Sequence, residues 1–160
     1  MRIKITIFSI LLISLFLTFG CSSLTTLGSS NQKKIPKAAF KVKGHHYYLM
    51  PMEMNYYTAI DACGELGGHI LSIDSQQEYD YFHKYAIKNG KTIWLDLTDR
   101  KEEGRWLNWR GEDAKFLKWS PGEPNMGDRQ NYMVLNWANQ SRDMDDMYNT
   151  RFAVICEWEY

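Results

Sequence analysis

The 160-residue sequence contains no Gly-x-Ser-x-Gly, no His-Glu-x-x-His and no glycine-rich phosphate loop. It therefore lacks the motif signatures of serine hydrolases, zinc proteases and phosphate-loop nucleotide enzymes. It also lacks an excess of charge of either sign, with 19 basic and 19 acidic residues. Setting aside Arg2 and Lys4 leaves 17 basic against 19 acidic, which argues against a nucleic-acid partner, whose binders present a basic face. Cysteine is scarce and odd in number, at positions 21, 63 and 156, so simple pairing leaves one to be explained. The uncharged run from Ile5 to Gly20 is 16 residues, short of the roughly 20 that a spanning helix needs. No internal repeat is visible, and the length suits one domain.

Aromatic residues are plentiful, with six Trp and ten Tyr. They suit a small, densely packed fold or a polar-rimmed binding surface. At the N-terminus, Met1-Arg2-Ile3-Lys4 followed by the uncharged run has the basic and apolar regions of a secretory signal, so residues 1–20 are read as a signal peptide. A small residue, Gly20, directly before Cys21 resembles the bacterial lipoprotein signal, although Thr18 stands where that family favours Leu. The resemblance implies a lipidated Cys21 and a membrane-anchored protein of the cell envelope; ordinary cleavage would leave a soluble, secreted one. With Cys21 given to lipid, Cys63 and Cys156 are left for each other, in a compartment where disulfides persist. Residues 21–37 are small, polar and aperiodic, a flexible tether, and the folded domain is expected over 38–160.

Within the domain, Phe40 to Lys43 alternates apolar and charged residues as a half-buried strand does, and His46 to Met50 resumes after Gly44. Asn55 can cap a helix whose apolar stripe is Tyr56, Ala59, Ile60, Cys63 and Leu66, ended by Gly67-Gly68. A short strand over His69 to Ile73 precedes a second helix, opened by Asp74 or Ser75 and stopped at Asn89-Gly90. Its expected apolar face is Tyr79, Tyr81, Phe82, Tyr85 and Ala86. Strands follow at Thr92 to Leu97, Tyr132 to Trp137 and Phe152 to Cys156, with a returning strand inside Arg142 to Met147. Between Thr98 and Gln130 periodicity fades, and so long a loop is usually functional or disordered. Trp106, Trp109, Phe116 and Trp119 predict the former by pinning it to the core. The pattern is α+β: two helices on antiparallel strands, with a long loop and paired terminal strands.

From about Gly44 to Glu157 the motifs resemble, in order, those of the C-type lectin-like domain. They are Tyr56-x-x-Ala59-x-x-x-Cys63, Gly67-Gly68-His69-Ile70-Leu71-Ser72-Ile73, Trp94-Leu95-Asp96-Leu97, Glu103-Gly104-x-Trp106-x-x-Trp109, Trp119-x-x-Gly122-Glu123-Pro124-Asn125 and Phe152-x-x-Ile155-Cys156-Glu157. Asp96 departs from the family's Gly, and Met144 from its Trp. The resemblance implies a C-type lectin-like fold, a Cys63–Cys156 disulfide and binding without chemistry. A second family disulfide is missing, since Tyr132 and Asn149 stand at its positions.

Carried over residue by residue, the family's calcium ligands become Glu123, Asn125, Gln130, Asp145 and Asp146. Glu123, Asn125, Gln130 and Asp145 would also meet the sugar. Gln130 and Asp145 exchange the acid and amide usual there, which leaves three carboxylates and two amides, a set suited to Ca2+. The resemblance further implies a cis Glu123–Pro124 bond and a mannose-like glycan; the exchange at 130 and 145 keeps a galactose-like one open. The rival reading is a calcium-independent domain that binds protein, supported by Met144 and Gln130. A hydrolase built on His69 or His83 with Asp74 is disfavoured, because His69 belongs to the Gly-Gly-His segment and His83 lies among helix aromatics. The protein is therefore expected not to be an enzyme.

Overall fold

The structure, a computed structural model, describes residues 33–139, 144–147 and 149–159. The signal-like segment, Cys21 and most of the tether lie outside the described residues.

Two sheets carry the domain. The first has the order β1 (Phe40–Val42), β2 (His45–Leu49), β7 (Ile155–Trp158), β3 (His69–Ile70). The second runs β4 (Ile93–Thr98), β5 (Tyr132–Leu135), β6 (Met144–Met147). All pairings within the sheets are antiparallel, and the terminal strands pair as the sequence predicts, with Tyr47 opposite Glu157 and Tyr48 opposite Cys156. The chain is already held before β1: Lys34 N donates to Leu66 O at 2.8 Å, and Ile35 packs on the core.

The helices begin and end where local chemistry dictates. Asn55 Oδ1 accepts from Thr58 N and opens α1 (Tyr56–Glu65); Ser75 accepts from Glu78 N and opens α2 (Gln76–Asn89). Glu78 returns the bond by accepting from Ser75 Oγ and Asp74 N, a capping box. Gly90, at φ 58°, supplies the left-handed residue that stops α2. The Cys63–Cys156 disulfide is formed and joins α1 to β7.

The core fills the space on either side of β4, where Ile93, Trp94 and Leu95 are buried alike. Trp94 Nε1 donates to Met54 O, so this large ring is buried without an orphaned donor. Three expectations need correction. Ile60 of α1 and Tyr81 of α2 stand exposed: both stripes are narrower than their apolar residues suggest, because each helix packs along one edge only. The strand predicted from His69 stops at Ile70, yet Leu71 N still donates to Ile155 O, and Asp96 N to Leu71 O, so Leu71 bridges the two sheets without joining either. Trp106 pins the long loop to the core, edge-on against Trp119 at 5.0 Å, whereas the Trp109 ring is half exposed and holds the loop at the surface, stacked on His69 at 5.1 Å.

Candidate functional site

The loop that carries Glu123 is shaped by its own residues. Ser120-Pro121-Gly122-Glu123 turns with Glu123 N donating to Ser120 O at 3.0 Å, and Gly122 sits at φ 91°, a backbone setting that proline at the second and glycine at the third turn position favour. The next bond, Glu123–Pro124, is cis. Beyond it, Asn125 Nδ2 donates to Glu123 Oε1 at 2.7 Å, so the two side chains flanking the proline stand together, one half-buried and one exposed. A short 3-10 turn, Gly127–Arg129, then leads to half-buried Gln130, whose N–H donates to Gly127 O.

Both ends of this loop are fastened to β6. Met144 N donates to Lys118 O and Ser120 N to Met144 O, which bridges Trp119 and Met144 in parallel. At the far end Asn131 N donates to Met147 O. On the other side β6 pairs with β5, placing Asp145 opposite Val134 and Asp146 opposite Met133. The loop holding Glu123, Asn125 and Gln130 thus begins and ends on the strand holding Asp145 and Asp146. Three of the five predicted ligand positions lie on this loop and two on that strand. The donor set is oxygen only, three carboxylates and two carboxamides, and it fits a hard cation such as Ca2+.

Met144 is fully buried, and its sulfur accepts from Lys118 N. It fills the core and is not a surface anchor, which removes one support for the protein-binding reading. Trp137 is half-buried edge-on against Phe152 at 5.5 Å, and so is packed rather than presented. His69 Nδ1 donates to Ile70 O at 2.8 Å, while Asp74 accepts from Lys115 Nζ at 2.9 Å and from Ser72 Oγ at 3.1 Å. His83 stacks on Tyr79. Each of the three thus has a structural partner of its own.

A model of the Lectin C-type domain matches residues 52–158. The chain belongs to the C-type lectin domain family, whose members are in general binding proteins rather than enzymes. It is 33% identical over 118 residues to the hepatic lectin of Gallus gallus, covering 72% of this chain and 55% of that protein. It is 22% identical over 129 residues to C-type lectin domain family 4 member M of Symphalangus syndactylus, covering 77% of this chain and 31% of that protein. Among solved structures, the mouse scavenger receptor C-type lectin carbohydrate-recognition domain superposes with TM-score 0.69 at 22% identity, covering 78% of this chain and 95% of that one. The cow CD23 carbohydrate-recognition domain, determined in the presence of a GlcNAc2Man3 oligosaccharide, gives 0.68 at 25% identity with coverage of 78% and 95%. A calcium-independent type II antifreeze protein gives 0.68 at 24% identity, covering 78% of this chain and 93% of that one, so the fold does not by itself imply the ion.

One buried group was not anticipated as special. Asp96 lies in β4 with 2% exposure, and Trp109 N donates to its Oδ2 at 3.2 Å. A carboxylate set in the apolar run Ile93-Trp94-Leu95-Asp96-Leu97 was the available signal. Burial pushes its pKa well above the ordinary 3.8; the Trp109 N–H and the Arg110 charge lower it, and the Glu157 and Asp74 charges raise it further. A carboxyl raised in the folded state makes stability fall as pH rises from 3.8 through the raised value, and the loss persists above it. Asp96→Asn should therefore match the wild type at pH near 3.8 and exceed it increasingly towards neutrality, read from urea unfolding at several pH values. A difference that stays constant with pH would refute this account of Asp96.

Proposed function

We propose that the chain is a calcium-dependent carbohydrate-binding module, held at a bacterial cell envelope through lipid on Cys21. The observation that carries the reading is the loop of Glu123, Asn125 and Gln130 fastened at both ends to the strand of Asp145 and Asp146. Those five residues would hold Ca2+. When bound, the ion offers coordination positions to two neighbouring sugar hydroxyls. The carboxylates of Glu123 and Asp145 would accept hydrogen bonds from those hydroxyls, and the amides of Asn125 and Gln130 would donate to their remaining lone pairs. Because acid and amide are exchanged at 130 and 145, the side of the sugar that donates is set by both pairs together. The glycan is mannose-like or galactose-like.

Calorimetry and thermal unfolding with calcium, then with mannose and galactose, repeated with a chelator, test the reading. Saturable calcium binding is expected, with stabilisation of about 2.7 kcal/mol at a hundredfold excess over Kd. Glu123→Gln should weaken calcium binding about tenfold or more by removing one of three carboxylates. The absence of calcium binding at millimolar concentration would overturn it and leave the calcium-independent module.

A further inference from the structure

Exposed large apolar side chains are not scattered evenly over this domain. Tyr57, Ile60 and Trp109, exposed by 46%, 39% and 51%, line one cavity of about 390 Å³ between α1, β4 and the long loop. That volume lies within the range of small-molecule sites, which are mostly apolar with a few convergent polar groups. Among the described side chains, Glu123, Asn125 and Gln130 do not line it.

Beside the neutral Thr98 and Asn108, three polar groups of the cavity are ionisable. Asp96, on β4, contributes its carboxylate, and the hydrogen bond it receives comes from the Trp109 backbone rather than from a cation. Arg100 and Lys101 lie just beyond β4. Arg100 Nη1 donates to Tyr132 Oη at 2.9 Å, and its Cζ lies 5.9 Å from the centre of the Tyr57 ring. Among the described residues neither Arg100 nor Lys101 is in an ion pair. Tyr132 Oη in turn donates to Tyr57 Oη at 2.9 Å, which fixes the Tyr57 ring as one wall. The cavity therefore combines one buried carboxyl group, two cations and a flat apolar wall. A simple organic cation would be repelled by Arg100 and Lys101, and a simple anion by Asp96. A molecule bearing both charges satisfies both sides.

We propose that this cavity binds a small zwitterion of the α-amino-acid kind. Its ammonium meets Asp96, its carboxylate faces Arg100 and Lys101, and its apolar side chain lies against Tyr57, Ile60 and Trp109. The site is separate from the calcium loop and works without the ion.

The test is calorimetry of the full chain, in the presence of a chelator, with L-phenylalanine, phenethylamine and 3-phenylpropionate. L-phenylalanine is expected to saturate one site with Kd of about 0.1–1 mM, and each one-charge analogue to bind about tenfold more weakly or worse. Asp96→Asn and Tyr57→Ala, each shown folded by circular dichroism, should weaken phenylalanine about tenfold. Met52→Ala, exposed and outside the cavity, should leave it unchanged. In NMR spectra the Trp109 indole N–H should shift during the titration. Three results would each overturn the proposal: no saturable binding of phenylalanine, equal binding of either analogue, or unchanged affinity in folded Asp96→Asn.

Discussion

Replacing both Cys63 and Cys156 with alanine is expected to lower the unfolding free energy by about 4–5 kcal/mol. The bond joins residues 93 apart in sequence, and in the chain-entropy model a loop of that size restricts the unfolded ensemble by about this much. Domains of ordinary size have only about 5–15 kcal/mol in hand. Both cysteines are fully buried, so each alanine also leaves the space of a sulfur atom, which adds to the loss. The double change is the cleaner experiment, because a single one leaves a free, buried thiol in place of the bond. Guanidinium unfolding of the two proteins under identical conditions reads the difference. A loss below about 1 kcal/mol, with an unchanged denaturant slope, would mean that the unfolded chain is not restricted as the model requires.

Gly68→Ala is expected to cost about 3 kcal/mol or more. A Cβ at Gly68 would stand 2.6 Å from Glu157 O and 2.8 and 2.9 Å from two atoms of the Trp158 indole. Neither neighbour can yield easily. Glu157 belongs to β7, paired on both sides by β2 and β3. Trp158 is 1% exposed, and its Nε1 donates to Leu66 O at 3.1 Å. Overpacking usually costs about 1–3 kcal/mol, and backbone in the middle of a sheet places this site at or above the top of that range. Gly64 is the internal control. It lies in α1, and a Cβ there meets nothing within 4 Å, so Gly64→Ala should gain about 0.5–1 kcal/mol from helix propensity alone. Thermal or urea unfolding of the pair reads both signs. A tolerated Gly68→Ala would show that β7 and its tryptophan can move apart at little cost.

Much of the architecture was legible where its cause is local. Asn55, Ser75 and Gly90 announce helix ends by chemistry that acts within four residues. The pairing of the terminal strands was legible from the strand pattern, and the Cys63–Cys156 disulfide from the count of cysteines together with the resemblance. What failed to show was the depth at which apolar residues come to rest. Ile60, Tyr81 and Trp109 look like core by type, but a helix packed along one edge, or a loop anchored by Trp106 and Trp119, leaves such residues outside. The candidate calcium ligands were named from motif order. The loop that carries three of them is tied to β6 by bonds at Lys118, Ser120 and Asn131, which are backbone contacts that no side-chain pattern encodes. The Asp96 cavity was illegible for a related reason. Its walls come from α1, β4 and an aperiodic loop, and only the fold puts them side by side.

The disulfide also decides where tension can travel. The bond between Cys63 and Cys156 closes a ring of chain, and every residue from 64 to 155 lies inside it, Glu123 to Asp146 included. When the chain is pulled from positions on either side of that ring, force crosses through the sulfur–sulfur bond and the enclosed segment stays slack. A domain tugged along its own backbone would keep its binding loop unstretched, and only a pull on the bound ligand itself could load it.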